Sequence, residues 1–415
     1  MSEQILIIGG GVIGAMSAYF LSQQGKQVTI VDRGRFGGGC SHGNCGYICP
    51  SHVLPLTIPG AIGKHAATCW KKSSPLYIKP RFSLSLMKWL WSFQRNCNQK
   101  QMLHAAAALS SILDSSYGLY QQIVSSENLA CEWEAQGILF VYQTRHHFDS
   151  FEATAKMVHD TFGKTYEKID GEQLITMEPA LKPGLPGAWY FRGDAHLRPD
   201  RLMTELKRIL LARGVKIVEN AEVTDIARTN GSVKSIRTSQ GEMSADQFVV
   251  ATGAWTPLLQ KHLCMNIPIQ PGKGYSITMP RPTVCPKHPL ILEEHRVAIT
   301  PMQSGYRIGS TMEFSGYDTT LNPARIDALL HGARVYLKHP TAEPVQETWY
   351  GWRPMTPDSL PIIDRAPRSD NLWIAAGHNM LGVSTASATG KLLMEMITGQ
   401  ATHIDPSPYR ARRFV

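Results

Sequence analysis

The sequence predicts an α/β fold, and three features near its start carry that prediction. Four apolar residues, Ile5-Leu6-Ile7-Ile8, make the continuous run expected of a parallel strand buried on both faces. Gly9, Gly11 and Gly14 follow at once in the spacing G-x-G-x-x-G, heading a helical segment, Ala15 to Leu21, that Gly25 ends. A second strand, Gln27 to Val31, finishes on Asp32, 18 residues beyond Gly14. Strand, glycines, helix, strand and acid in that order form a βαβ unit with a dinucleotide fingerprint. Gly9 permits the tight turn, Gly11 lets backbone approach a pyrophosphate, and Gly14 lets helix and strand pack closely. Gly9, Gly11, Val12, Ile13 and Gly14 are therefore candidate pyrophosphate contacts at a helix N-terminus. Asp32 is placed to accept the ribose hydroxyls, with Arg33 beside it.

The bulk numbers narrow the classes. The 415 residues suffice for two packed domains, and the 43% hydrophobic and 18% charged content is that of a globular protein. The net charge of +9 suits acidic small molecules, and the Lys and Arg are scattered, so no nucleic-acid partner is expected. The first apolar run is a strand preceded by Glu3, not a signal peptide, and no run of apolar residues is long enough to span a bilayer. Eight cysteines in 415 residues suggest free thiols in a reducing compartment.

Along the chain, Arg33 to Gly46 is a glycine-rich loop whose small residues suit close approach of a large cofactor. Cys40, Cys45 and Cys49 have the spacing C-x4-C-x3-C with His42 and His52 nearby, but Cys69 is twenty residues further on, so no metal is assigned. Residues 53–130 read as mainly helical. Within them Phe82 to Phe93 is rich in aromatic and aliphatic residues, and Trp89 and Trp91 cannot share one helical face. That segment is either a membrane-interface or quinone-docking patch, or a core helix of a second domain, the general expectation for such a stretch. Met102 to Val124 reads as another helix.

Strands are expected at Ile138–Tyr142 and Gly187–Phe191, with His146-His147 as solvated turn residues and helices at Glu152–Phe162 and from Asp170. A helix from Asp200 to Ala212, strands at Val215–Val218 and Ala221–Ile226, and a hairpin turn at Asn230-Gly231 follow. A buried strand then delivers Thr252-Gly253. Later strands carry Tyr275 and Arg307, and the bases of the Arg325–Leu337 helix read as exposed. Gly377 to Gly382 precedes a terminal helix, Ser384 to Thr398.

These motifs resemble the D-amino-acid oxidase and glycine oxidase superfamily of FAD proteins, and within it the bacterial D-amino-acid dehydrogenase small-subunit group. The matching residues are Gly9 to Gly14, Ser41-x-x-Asn44-x-Gly46 followed by Pro50, Ala251-Thr252-Gly253, Pro271-x-Lys273-Gly274-Tyr275-Ser276, Gly351-x-Arg353-Pro354 and Gly377 to Gly382. The resemblance covers essentially the whole chain. It implies a Rossmann-like FAD-binding domain (1–50, 193–265 and 350–415) interleaved with an α+β substrate domain on an antiparallel or mixed sheet (51–192 and 266–349).

The resemblance also implies roles. Ser41, Asn44, Gly46, Thr252 and Gly253 would lie close to the FAD, and Val223 would meet the adenine through its backbone. Gly377, His378, Leu381 and Gly382 would sit at the flavin's pyrimidine end, with His378 as packing and not as a base. Some relatives link FAD to a histidine one position later than His42, so no covalent bond is assigned there. Arg353 would hold a substrate carboxylate, which its planar guanidinium matches as a fork. Its structural alternative is a salt bridge to Asp358 or Asp364. Tyr275 and Arg307 are further candidate catalytic-pocket residues.

The implied reaction is FAD-dependent oxidation of a D-amino acid: hydride passes from Cα to flavin N5, and the imino acid is hydrolysed to keto acid and ammonia. Electrons would go to a quinone-type acceptor, with the protein cytoplasmic or peripheral on the inner face of the cytoplasmic membrane. Glycine, sarcosine, proline or hydroxyproline oxidation is the alternative within the class. A tRNA-modifying flavoprotein and an inactive FAD-binding subunit are alternatives outside it.

Overall fold

The computed structural model describes residues 2–61, 63, 69 and 74–414. The first of its two large sheets has six strands, in the order Ile362–Arg365, Leu372–Ala376, Gln247–Val250, Gln4–Ile8, Gln27–Val31, Lys216–Val218. All neighbours are parallel except the antiparallel edge strand Ile362–Arg365. Ile5 to Ile8 are all buried, which is why their run is unbroken by polar residues. From this strand the sheet grows both ways, to Gln27–Val31 on one side and to Gln247–Val250 on the other. Such a switch point opens a crevice beyond the strand's carboxyl end, where Gly9 begins.

The helix Val12–Gln23 packs on this sheet, and the helix Gly382–Thr398 packs on it in turn. They meet so closely that a Cβ on Gly390 would stand 2.6 Å from the Met16 carbonyl. The helix Gln99–Ser126 joins the same core through Leu109, Ile112, Leu113 and Tyr120. Tyr120 Oη donates to the Val383 carbonyl at 2.8 Å, and the Ser116 and Ser387 hydroxyls are 2.7 Å apart. This differs from the boundary expected at residue 51, which put that helix in the substrate half. Its apolar stripe read correctly, but a stripe does not say which sheet it covers.

The second sheet has nine strands. Eight run in the order Glu347–Met355, Gln270–Met279, Gly305–Phe314, Val297–Met302, Leu290–Leu292, Ile138–Tyr142, Gly187–Phe191, Glu167–Asp170, and Leu76–Ile78 pairs with Gly305–Phe314. Pairing is antiparallel except at two parallel junctions, Leu290–Leu292 with Ile138–Tyr142 and Leu76–Ile78 with Gly305–Phe314. It is thus a mixed sheet. Residues 350–355, assigned to the cofactor domain, belong to it. A three-stranded meander spans residues 223–244, turning at Asn230 (φ 50°) and Gly231 (φ 84°).

Two local expectations change. His146 and His147 lie in the first turn of the helix Arg145–Phe162, because Thr144 caps it by accepting the His147 N–H. Arg325 is not exposed; it is fully buried and donates to the carbonyls of Ser74, Pro75 and Met312. Of the helical region expected at 53–130, residues 62, 64–68 and 70–73 lie outside the described residues.

The tryptophan-rich segment is the helix Leu84–Asn96, capped by Ser83 Oγ accepting the Leu86 N–H at 3.3 Å. Its inner face, Leu86 and Trp89, is buried against Phe314 and Met355, and Trp89 Nε1 donates to the Met355 carbonyl at 2.9 Å. Burying each such side chain stabilises by roughly 1.5–3 kcal/mol. Its outer face is exposed, with Trp91 at 64%. The inner face is thus that of a core helix, while the outer face is apolar and exposed.

Candidate active site

At the head of the first sheet, Gly9 adopts φ 114°, which an L side chain resists, and a Cβ on Gly14 would overlap the Gly9 carbonyl. Gly11 is the N-cap of the helix Val12–Gln23 and has no side chain of its own to cap it. A side chain at Gly11 would meet only Ser41 Oγ within 4 Å, at 3.6 Å. Backbone approach is therefore open at a positive helix end. Ser41 Oγ accepts the Val12 N–H at 3.0 Å, tying the glycine-rich loop to that end. The Asp32 carboxylate is fixed by the Gly10 and Gly34 N–H groups, both at 2.7 Å. Arg33 stacks over Trp255 at 4.0 Å, two residues past Gly253 (φ 53°). Val223 opens the meander strand Val223–Thr229.

These features fit an FAD. Gly9, Gly11, Val12, Ile13 and Gly14 would hold the pyrophosphate and Asp32 the ribose. At the other end, Leu381 is the N-cap of the helix Gly382–Thr398, again without a side-chain cap, and Gly377 turns at φ 81°. His378 differs from a cofactor contact through its side chain. Its ring is buried and bonded through Nε2 to Thr389 Oγ1 at 3.0 Å. Burial pushes its pKa down to about 3, so the imidazole is neutral packing, and only its backbone is left for a cofactor.

The glycine-rich loop is fastened to one face of the second sheet. Asn44 Oδ1 accepts the Gly46 N–H at 2.7 Å, shaping the turn. Ser276 Oγ donates to the Gly43 carbonyl at 2.9 Å, and Thr300 Oγ1 to the Cys45 carbonyl at 2.7 Å. His42 Nε2 lies 2.8 Å from Glu347 Oε1.

Two sequence candidates are corrected here. Side chains alternate along a strand, so with Ser276 facing the loop, Tyr275 faces away. Tyr275 is buried with Ile277 and Met279, and its Oη donates to Glu313 Oε2 at 3.0 Å. Burial and Glu313 raise its pKa far above the usual phenol range. Arg307 does face the loop, but its guanidinium is already engaged. Nη1 donates to the His42 and Asn44 carbonyls at 3.1 and 2.8 Å, Nε donates to Thr278 Oγ1 at 2.9 Å, and Nη2 lies 3.6 Å from Asp200. It positions the loop.

Arg353 sits on the strand Glu347–Met355, with Gly272 opposite it and Gly274 opposite Gly351. A Cβ at Gly274 would overlap the Arg353 guanidinium, so that glycine makes the space the side chain occupies. Nη1 donates to the Thr311 carbonyl at 2.6 Å. Thr311 (φ 57°) and Ser310 (φ 111°) form a bulge where the pairing of Gln270–Met279 with Gly305–Phe314 slips. Asp358 is engaged by Arg413 at 2.6 Å, and Asp364 accepts the Ala411 N–H at 2.8 Å. Among the described residues no carboxylate pairs with Arg353. The Cys40 and Cys45 thiols of the loop lie near it; burial pushes their pKa up and Arg353 partly draws it back, so they stay neutral. A desolvated cation without a counter-charge is costly, and an anionic ligand would relieve it.

Sequence reasoning quoted Gly274 and Ser276 within a motif but gave them no role, and it gave none to Thr311 or Asn379. Strand alternation around Tyr275 carried the signal for the first two. Asn379, at φ 52°, links the segment after Arg353 to the Gly377 turn: Oδ1 accepts the Thr356 N–H at 2.9 Å and Nδ2 donates to the Gly377 carbonyl at 3.0 Å. Nothing local in the sequence marked the Thr311 bulge. Among the described residues no group of His, Cys, Asp and Glu is placed to hold a metal.

Comparison with known proteins adds three findings. The chain matches the family described as FAD dependent oxidoreductase over residues 4–396. It is 31% identical to a D-amino acid dehydrogenase of Granulibacter bethesdensis over 99% of both chains, and 32% identical to one of Chromohalobacter salexigens over 97% of both. Among solved structures, glycine oxidase from Geobacillus kaustophilus superposes with a TM-score of 0.81 at 21% identity over 100% of both chains, which shows the shared fold. The chain belongs to the DAO family of FAD-dependent oxidoreductases.

Proposed function

We propose that this protein oxidises D-amino acids to imino acids, which water then hydrolyses to keto acids and ammonia. The observation that carries the reading is Arg353, a desolvated guanidinium facing the cofactor loop with no carboxylate partner among the described residues. A substrate carboxylate supplies that partner as a bidentate fork. The Thr311 carbonyl holds one edge of the guanidinium and so fixes the direction of the other. Gly274, Gly309 and Gly351 on this sheet face make the room that the Arg353 guanidinium, Cys45 Sγ and the Trp349 ring occupy. FAD supplies, when bound, the acceptor for the Cα hydride. Orientation of a neutral amine suffices for that transfer, and the thiols nearest Arg353 are held protonated by burial, so the residues here support positioning rather than base catalysis.

The D series follows from the names of the relatives at 31% and 32% identity. The proposal extends to a quinone-type electron acceptor, reached by peripheral contact with the inner face of the cytoplasmic membrane, an expectation that rests on the sequence motifs and not on the relatives' names. The test is anaerobic bleaching of the FAD-loaded protein by D- and L-amino acids, glycine, sarcosine, proline and hydroxyproline. The expected result is rapid bleaching by a D series, then reoxidation by a quinone analogue faster than by air. Bleaching by glycine or sarcosine alone would reassign the substrate, and no bleaching by any of them would remove the amino-acid reading.

A further inference from the structure

The outward face of the helix Leu84–Asn96 is apolar and unpartnered among the described residues. Leu84, Met87 and Trp91 lie at i, i+3 and i+7 and are 60%, 56% and 64% exposed, and Phe82, just before the cap, is 85% exposed. Four large apolar side chains on one short stretch form a contiguous patch, unlike the single exposed residues any surface carries. The charge of the surrounding stretch of sequence is one-sided, with Asp318 brought in from outside it to pair with Lys79. Between Asp32 and Asp114 the sequence has ten Lys and Arg and no Asp or Glu, while the rest of the chain holds 32 Lys and Arg against 33 Asp and Glu. The whole net charge of the protein thus belongs to the stretch that contains this helix. Lys88 and Arg95 are exposed beside the apolar residues, Arg81 is exposed at its start, and the Arg95 guanidinium lies 4.7 Å over the Trp91 ring. The inner face is held by Trp89 to the Met355 carbonyl, two residues from Arg353.

We propose that this face lies on the surface of an anionic phospholipid bilayer, with Phe82, Leu84, Met87 and Trp91 in the headgroup boundary and Arg81, Lys88 and Arg95 on the lipid phosphates. Apolar side chains, an exposed tryptophan, flanking bases and a helix without acids of its own are the chemistry such a surface selects. This deepens the proposed electron delivery to a membrane-borne acceptor and rests on that reading: it sets the strand bearing Arg353 directly behind the docking helix.

The test is co-sedimentation of FAD-loaded protein with vesicles of phosphatidylglycerol in phosphatidylcholine, and of phosphatidylcholine alone, at about 0.1 M salt. The expected result is binding at least about tenfold stronger to the anionic vesicles, since each base near such a surface is worth roughly fivefold in partition. Leu84→Ser/Met87→Ser/Trp91→Ser and Lys88→Glu/Arg95→Glu should each lose vesicle binding by tenfold or more while keeping wild-type turnover with a soluble dye as acceptor. Wild-type protein that ignores the vesicles while still oxidising amino acids would overturn the inference and leave the activity standing. Variants that bind as wild type would overturn the assignment of this face. A wild-type dimer that the apolar variant converts to monomer, with no vesicle binding, would give the face to a second copy of the chain. Vesicle binding by protein that no amino acid bleaches would support the inference and sink the activity.

Discussion

Arg307 and Arg353 stand on the same face of the same sheet, turned toward the same glycine-rich loop, and the fold treats them oppositely. Around Arg307 the donors are matched: loop carbonyls, a threonine hydroxyl and Asp200 take them up. Around Arg353, in the space Gly274 makes for it, one carbonyl takes one edge, and the remaining charge faces two thiols. Under the proposed function, that difference separates a structural cation from a binding one. Arg307 is fully buried and Arg353 half-buried, and the number of partners supplied by the chain separates them. A residue satisfied by its own protein holds the fold in place, whereas one left incomplete waits for a ligand.

The sharpest way to break this contrast is Arg353→Met. Truncating one partner of a buried charge pair costs about 2–5 kcal/mol, so kcat/KM should fall roughly 30- to 4,000-fold while FAD content and melting temperature hold. Steady-state kinetics beside a thermal melt checks it, and a loss of FAD would make Arg353 structural after all. Arg307→Met should invert the pattern. It leaves two loop carbonyls without their donor and Asp200 with Arg198 alone, costing about 2–4 kcal/mol of stability and weakening FAD retention, with the KM of the remaining holoprotein unchanged. Flavin released per protein during dialysis reads this directly.

Gly274→Ala should come next. The added methyl displaces the Arg353 guanidinium, and a misplacement of that order costs up to about 100-fold in kcat/KM. Its melting temperature should move far less than that of Arg307→Met. The smallest effect is expected at His378. Its folded pKa of about 3 lies below the usual 6.5, so the stability it contributes is present above about pH 6.5 and lost as pH falls toward 3. Because it stays neutral throughout, His378→Asn should leave the pH profile of kcat/KM unchanged between roughly pH 6 and 8. A shifted inflection there would show that the imidazole takes part.

Much of the cofactor end was legible because its signals are local. Ile5 to Asp32 contains strand, turn, helix, strand and acid within one unit, and the order of strands around it follows from parallel pairing. The substrate side was legible only in part. Arg353 came from a motif, but Tyr275 and Arg307 were chosen for sitting on strands after motifs. Which way a strand residue points depends on register against its neighbours: Ser276 bonding Gly43 decides the side of Tyr275. What a buried cation meets depends on a loop more than 260 residues away, as the bond from Arg307 to the Asn44 carbonyl shows. The helix Gln99–Ser126 teaches the same lesson for domains. Its stripe of Leu109, Ile112, Leu113 and Tyr120 fixed a face, and only the pairing of Ser116 with Ser387 shows which core that face enters.

The most direct test of the claim that Arg353 reads a substrate carboxylate compares a D-amino acid with its amide, in wild type and in Arg353→Met, by the rate of anaerobic flavin bleaching. Wild type is expected to favour the acid strongly, and the variant should treat acid and amide alike, both slowly. Equal discrimination in the two proteins would contradict the account, because the carboxylate would then be recognised elsewhere.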